Sequence, residues 1–421
     1  MSDGIENMGG VRWQLLVCLF VSWIFVFLCL IKGVKTSGKV VYVTATFPYV
    51  VLMIFLVRGV TLPGALDGIK FYLIPRFEKL KEFQVWQDAA MQLFYSMGAA
   101  WGALITMSSY NKFKNNFYRD AIIVSITDTC TAILAGFVIF TVIGFMAHET
   151  GQDIGDVITK GPGLVFVVYP AAITRMPIAP LWAVLFFLFL FTVGVDSQFG
   201  MFETMTSAFL DEYPRYLRPK KMMFHGGLCF LAFLLGIPCI TRGGIYFLQI
   251  MDWYASTFSL MILSLTEVLV IAWIYGVNRF YDDISMMIGY KPFIWWKACW
   301  LVITPIMILF ILLTSLIKHT SVTYGDYNYP GWAIGIGWVF ASCSVVPLPT
   351  IAIYKFVKAK GSLLQRWSNL TQPTRQWGPA DPMMKKEYDT RYDMNMMSNG
   401  HLAYTATPMV DMENGIIKTK C

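Results

Sequence analysis

Two carboxylates lie inside apolar segments beside hydroxyl groups. Asp128 stands among three threonines, and Asp196 is followed by Ser197. An uncompensated charge at membrane depth costs at least ~2.5 kcal/mol, so such residues usually face a cavity, a partner or an ion. Sodium and other hard cations prefer oxygen ligands, and neither place offers the sulfur and imidazole groups that suit transition metals. The pattern favours a cation-coupled transporter over a channel, and it favours both over a membrane enzyme.

A run of small and aromatic residues, Phe94–Gly102, interrupts another apolar segment. Its two glycines, Gly98 and Gly102, favour a break in the helix. In lipid, a broken helix is tolerated only where the freed backbone groups face protein, an ion, a substrate or water. The run therefore predicts a binding site near the membrane midplane. Small residues that let a second helix pack closely give the same spacing, so the spacing alone leaves both interpretations open.

Further carboxylates lie at the depth of the apolar segments or at their edges: Asp88, Glu203, Asp211, Asp252 and Glu267. For Asp88, Asp211 and Glu267, a structural ion pair near a helix end explains the residue as well as a functional role does. These positions alone do not locate a site.

The composition is typical of an all-α polytopic membrane protein. Of the 421 residues, 56% are hydrophobic, and aromatic residues (16%) outnumber charged ones (14%). The apolar runs reach about 20 residues each, which is enough to cross a bilayer as helices. The net charge of +7 is concentrated in a few short loops, which indicates membrane topology and gives no support for a nucleic-acid partner.

Nine apolar segments are predicted to span the membrane, at residues 13–31, 40–60, 86–110, 121–147, 179–209, 223–241, 244–275, 293–317 and 331–357. Basic residues gather in alternate connections, so the positive-inside rule places those connections and the C-terminus in the cytoplasm. We expect residues 1–12 to be the end of an extracellular loop, residues 13–357 to be the transmembrane domain and residues 358–421 to be a largely disordered cytoplasmic tail. An outside N-terminus without a signal peptide suggests that the chain begins partway through a larger protein.

Several motifs carry a resemblance to a known family. They are Gly38–Tyr49, Ser109–Phe113, Ala135–Phe140, Met251–Ala255 and Tyr329–Trp332. The chain resembles the sodium-coupled neurotransmitter symporters, which have the leucine-transporter fold, over nearly all of its length. The resemblance implies helices four to twelve of a twelve-helix protein, without the first three.

The resemblance also implies roles for individual residues. Substrate-pocket positions match Tyr95, Ser96, Gly98 and Trp101. Sodium-site positions match Ser96, Asp128, Val193, Asp196 and Ser197, and chloride ligands match Gln92 and Ser96. The extracellular gate matches Asp252, and the cytoplasmic gate matches Tyr110 and Asp211.

Within the family, the chain is most similar to sodium- and chloride-dependent glycine transporters, which also carry a tryptophan at the position of Trp101. A bulky indole over a small pocket is a physical reason to exclude larger amino acids. Gly98 resembles the subtype that also accepts sarcosine, and the ending at Cys421 resembles a ligand of PDZ domains. The resemblance thus implies sodium-driven glycine uptake at the plasma membrane, with a PDZ-domain protein as a partner.

Two departures from the glycine transporters bear on chloride. Asp128 replaces an asparagine sodium ligand, and Ala132 replaces a serine chloride ligand one helical turn later. We hypothesise that the Asp128 carboxylate supplies the negative charge that chloride otherwise supplies beside sodium, which weakens chloride dependence. Some insect nutrient amino-acid transporters resemble the chain at Asp128, so a broader sodium-coupled amino-acid transporter is the alternative.

The resemblance further implies that the missing helices would supply half of the site. Alternating access moves a bundle of the first, second, sixth and seventh helices against a scaffold, and two of those helices are absent from this sequence. We therefore expect the 421 residues alone not to transport. A naturally short, non-transporting form that associates with the full-length transporter is an alternative reading.

Overall fold

The computed structural model describes residues 3–31, 34–157, 164–317, 322–324, 327–374 and 377–398. Helices in the first half are α1 (Trp13–Leu30), α2 (Val34–Val60), α3 (Ala65–Leu73), α4 (Phe83–Ser96), α5 (Ala103–Ser109), α6 (Phe117–Thr150), α7 (Ile154–Val157), α8 (Tyr169–Thr174) and α9 (Ala179–Glu212). They are followed by α10 (Pro214–Leu217), α11 (Lys221–Gly236), α12 (Gly244–Tyr254), α13 (Leu260–Leu269), α14 (Val277–Ile288), α15 (Ile294–Ala298), α16 (Thr304–Ile317), α17 (Gly331–Val345), α18 (Pro347–Lys358), α19 (Leu363–Thr371) and α20 (Pro382–Ser398).

Shorter elements connect these helices. Turns of 3-10 helix occupy Phe77–Lys81 and Ile237–Ile240, and π-helical turns occupy Leu164–Val168, Ala255–Ser259, Val270–Gly276 and Cys299–Ile303. One antiparallel ladder pairs β1 (Thr323–Tyr324) with β2 (Tyr327–Asn328).

The predicted all-α membrane architecture is confirmed. In the described residues, seven helical stretches are long and apolar enough to cross a membrane, and three of them, Lys221–Ile240, Leu260–Ile288 and Ile294–Ile317, join neighbouring elements. The pair α17 and α18, bent by 43°, makes an eighth if it is one span. The predicted segment 86–110 forms no single span, because the chain leaves the helix after Ser96 and resumes it at Ala103. Most helices carry large apolar side chains on exposed faces, which suits contact with lipid.

Small residues let α3 lie directly on α6. A Cβ atom at Gly68 would stand 1.9 Å from the Phe140 carbonyl oxygen, and one at Gly144 would stand 2.5 Å from the Gly64 carbonyl oxygen. Backbones can approach this closely only where no side chain intervenes, which is the usual solution for helices packed in a membrane.

The described residues divide into two compact units. The first runs to Lys358 without residues 112–115, and the second joins those residues to the chain after Lys358. Within the segment expected to be a largely disordered tail, residues 363–371 and 382–398 are helical. Ser362 begins α19 with a capping box, in which its hydroxyl accepts a hydrogen bond from the Gln365 backbone N–H and the Gln365 side chain binds the Ser362 N–H.

Candidate ion and substrate site

The predicted helix break lies between α4 and α5. Gly98, Ala100 and Gly102 have φ angles of +65°, +59° and +77°. A positive φ is uncommon for a residue with a side chain, so Ala100 is held in a conformation that the surrounding turn must stabilise. The Trp101 backbone N–H donates to the Gly98 carbonyl at 3.2 Å, which closes the turn.

Ser96 and Asp128 meet at this break. The Ser96 hydroxyl, on the last residue of α4, donates a hydrogen bond of 2.6 Å to Oδ1 of Asp128 on α6. The Oδ2 atom of Asp128 is buried and has no hydrogen-bond partner among the described residues. The arrangement is a carboxylate with one oxygen paired to a hydroxyl and the other held away from water.

The break also brings two aromatic rings together. The ring of Tyr95 meets the indole of Trp101 edge to face, with centroids 5.6 Å apart and planes at 89°. Within the described part of the chain, the buried Nε1 of Trp101 has no hydrogen-bond partner, while Tyr95 is 45% exposed. Gly98 adds open space, because a Cβ atom there would have no neighbour within 4 Å.

A second carboxylate is paired to a neighbouring helix. Asp196 on α9 accepts a short hydrogen bond at Oδ1 from the Thr44 hydroxyl on α2. Ser197 donates to the Val193 carbonyl at 3.2 Å, so these two predicted sodium ligands are bonded along α9 itself. Thr44 is a member of this group that the sequence did not single out, although it lies in the motif Gly38–Tyr49.

Among the described residues, no hydrogen bond joins the predicted cytoplasmic-gate residues Tyr110 and Asp211. The Tyr110 hydroxyl donates to Oε1 of Glu203 at 3.0 Å and lies 2.9 Å from the Ser207 hydroxyl. Glu203 is 1% exposed, whereas Asp211 is exposed and forms an ion pair of 3.3 Å with Arg218. Glu203 is therefore the buried carboxylate beside Tyr110, and sequence reasoning assigned it no role.

The remaining residues that the sequence analysis singled out are exposed or lie outside the described residues. Gln92 is exposed on α4 one turn before Ser96, and Ala132 is exposed on α6 one turn after Asp128. Asp252 is exposed on α12. The predicted PDZ ligand at Cys421 lies outside the described residues.

A broken helix with a hydroxyl and a carboxylate at the break is typical of secondary transporters, which bind small ions and solutes at discontinuous helices. The chain belongs to the sodium:neurotransmitter symporter family, whose model matches residues 1–359. Members of this family are transporters with the leucine-transporter fold, not enzymes.

Three named transporters are similar to this chain in sequence. The chain is 51% identical over 379 residues to sodium- and chloride-dependent glycine transporter 2 of Xenopus laevis, covering 90% of this chain and 48% of that protein. It is 49% identical over 382 residues to glycine transporter 1 of the same organism, covering 90% and 60%. It is 45% identical over 396 residues to the neutral and basic amino acid transporter B(0+) of Mus musculus, covering 93% and 62%. The chain thus spans about half to three-fifths of the length of the curated relatives it matches.

Proposed function

We propose that this chain forms part of a symporter that couples sodium to the uptake of glycine across the plasma membrane by alternating access. The hydrogen bond between Ser96 and Asp128 at the helix break carries the proposal. It leaves the Oδ2 atom of Asp128 buried and unpaired, which costs free energy that a bound cation would offset. The donors are hard oxygen atoms, which suit sodium.

Two sodium positions follow from these groups. Ser96 and Asp128 would contribute a hydroxyl and a carboxylate oxygen to the first. Asp196, Ser197 and the carbonyl oxygen of Val193 would contribute to the second, on one turn of α9. At the second position, the bond from Thr44 holds the Asp196 carboxylate in a fixed orientation.

A small amino acid is the substrate that the aromatic contact favours. Trp101 and Tyr95 meet across the break and fill space that a longer substrate side chain would need. Gly98 leaves room on the other side of the turn for an N-methyl group, so sarcosine is also a substrate in this proposal. Two of the relatives are named glycine transporters, which supports the same choice.

Chloride has a reduced role in this proposal. Gln92 remains available as a chloride ligand, but the Ser96 hydroxyl already donates its proton to Asp128, and Ala132 supplies no hydroxyl. The negative charge of Asp128 lies beside the first sodium position and takes over part of the charge balance that an anion would provide.

The chain alone is proposed not to transport. Tyr95 is 45% exposed and Val193 is 42% exposed, while Ser96 and Ser197 are exposed as well. A transport site must close over its substrate and exclude water. Helices from the part of the relatives that this chain does not match would close the site over its substrate.

The test is uptake of labelled glycine by cells that express a chimera, in which the first three helices of the Xenopus laevis glycine transporter 2 precede this chain. We expect uptake that requires sodium, that sarcosine inhibits and that leucine does not inhibit. Cells that express the 421 residues alone should show none, with the protein present in the membrane. Uptake that persists when choline replaces sodium would contradict the proposal.

A broader amino-acid symporter is the second candidate. The 45% identity to a transporter named for neutral and basic amino acids supports it. Inhibition of glycine uptake by leucine and lysine, at concentrations similar to those of sarcosine, would favour this candidate over the glycine-selective one.

A further inference from the structure

A cavity outside the candidate site lies where α1 begins. It has a volume of about 540 Å³ and is lined by residues 10–14 and by Arg242. Since α1 is an apolar helix long enough to cross a membrane, its first residues lie at the boundary between the membrane and water.

Backbone pairing fixes two arginines on one side of this cavity. Val11 and Thr241 form an antiparallel bridge, and the Arg12 N–H donates to the Ile240 carbonyl at 3.3 Å. Side chains alternate between the two faces of such a pair, so Arg12 and Arg242, each next to a bridged residue, lie on the same face. As diagonal neighbours they are within reach of one small ligand.

The stem of Arg242 is held against the backbone of Gly9. Gly9 has a φ of +61°, and a Cβ atom there would stand 3.1 Å from both Cβ and Cδ of Arg242. A larger residue at this position would displace the arginine. The glycine therefore positions Arg242 along the wall of the cavity.

Neither positive charge has a carboxylate partner within the part of the chain that the structure describes. Six ion pairs are formed among the described residues, and none of them includes Arg12 or Arg242. Like charges held on one face repel each other, and an anion placed between them would offset the repulsion. Guanidinium groups match phosphate with two parallel hydrogen bonds, so phosphate is the anion that this pair fits best.

We propose that Arg12 and Arg242 bind the phosphate of a phospholipid headgroup. Trp13, which also lines the cavity, is 69% exposed, and Val11 is 46% exposed. A tryptophan at the membrane boundary usually sits at headgroup level with its ring toward the acyl chains. The cavity thus offers charge for the phosphate and apolar surface for the start of the lipid tail.

Native mass spectrometry of the purified 421-residue protein in detergent, titrated with phosphatidylglycerol, tests this assignment. We expect Arg12→Gln and Arg242→Gln each to weaken lipid binding by about tenfold or more, because each removes a charge-assisted hydrogen bond. Arg76→Gln is the matched control, since Arg76 is an exposed arginine that lies over the Phe71 ring, 5.0 Å from its centroid, away from the cavity lining. It should bind the lipid like the parent protein.

Three results would overturn the proposal. The first is equal phosphatidylglycerol binding by the parent protein and both glutamine variants. The second is displacement of the lipid by millimolar inorganic phosphate, which would show that the site binds a soluble anion and not a lipid headgroup. The third comes from Arg12→Lys and Arg242→Lys, which keep the charge and guard against a folding defect. They should bind the lipid more weakly than the parent protein, because lysine makes no bidentate contact, but more tightly than the glutamine variants, and a loss as large as in the glutamine variants would contradict a charge-based site.

Discussion

Neutralising Asp128 should make glycine uptake, which depends weakly on chloride in the parent protein, depend strongly on it. In Asp128→Asn the amide oxygen can still accept the hydrogen bond from Ser96, which is 2.6 Å long in the parent protein. The bond to Ser96 is therefore kept, while the negative charge is removed and an amide NH2 replaces the Oδ2 oxygen. A change in ion dependence then reports on the loss of the charge and of that oxygen.

The size of the effect follows from Coulomb's law. A unit charge about 4 Å from sodium, at an effective dielectric constant of about 20, contributes on the order of 4 kcal/mol. That energy corresponds to nearly three decades in apparent sodium affinity, since about 1.4 kcal/mol is a factor of ten. In the Asp128→Asn variant, chloride bound near Gln92 and Ser96 would restore part of the lost free energy of sodium binding.

The assay is glycine uptake by the chimera as a function of sodium, in chloride and in gluconate. The parent protein should keep much of its uptake in gluconate, whereas Asp128→Asn should lose nearly all of it there and recover partly in chloride. Asp128→Asn combined with Ala132→Ser should depend fully on chloride. Asp120→Asn, near the exposed start of α6, is the control and should behave like the parent. Abolished uptake of the parent in gluconate, or equal chloride dependence in the parent and Asp128→Asn, would refute the reasoning.

Further predictions concern the pocket, the second ion position and the inner end of the site. Trp101→Ser should let leucine inhibit glycine uptake roughly tenfold more strongly, because the indole no longer fills the pocket, and unchanged selectivity would remove the pocket argument. Thr44→Val should raise the sodium concentration for half-maximal uptake about tenfold, while Thr46→Val, whose hydroxyl binds its own helix, should not, and equal effects would contradict an orienting role. Tyr110→Phe should destabilise the purified protein by about 1–3 kcal/mol, seen as a lower thermal midpoint, because it removes the donor to the buried carboxylate of Glu203. Adding Glu203→Gln should recover part of that loss, and an unchanged midpoint in the single variant would show that the bond does not contribute.

The sequence predicted the helix break well, because its cause is local. Glycine favours the left-handed backbone, and Gly98 and Gly102 both adopt it. The long apolar helices were predicted for a similar reason, since length and hydropathy alone decide whether a helix can cross a bilayer. The association of Ser96 with Asp128 came from the family resemblance, and the structure brings the two into a hydrogen bond.

The contacts that were missed depend on tertiary structure. Threonine hydroxyls in apolar helices commonly bond their own backbone, so nothing in the sequence separates Thr44, which reaches Asp196, from Thr46, which does not. Glu203 was recognised only as a carboxylate at membrane depth, because its partner Tyr110 lies on another helix. The tail helix α19 is a different case, because its capping box of Ser362 and Gln365 and its apolar residues at helical spacing, Leu363, Trp367 and Leu370, are local signals that the polar composition of the tail outweighed.

The most direct test of sodium-coupled symport is glycine accumulation in proteoliposomes that contain the chimera, under an imposed inward sodium gradient. The account predicts that internal glycine rises above its external concentration and that a sodium ionophore collapses the excess. Glycine that only equilibrates across the membrane, or that accumulates equally without the sodium gradient, would contradict it.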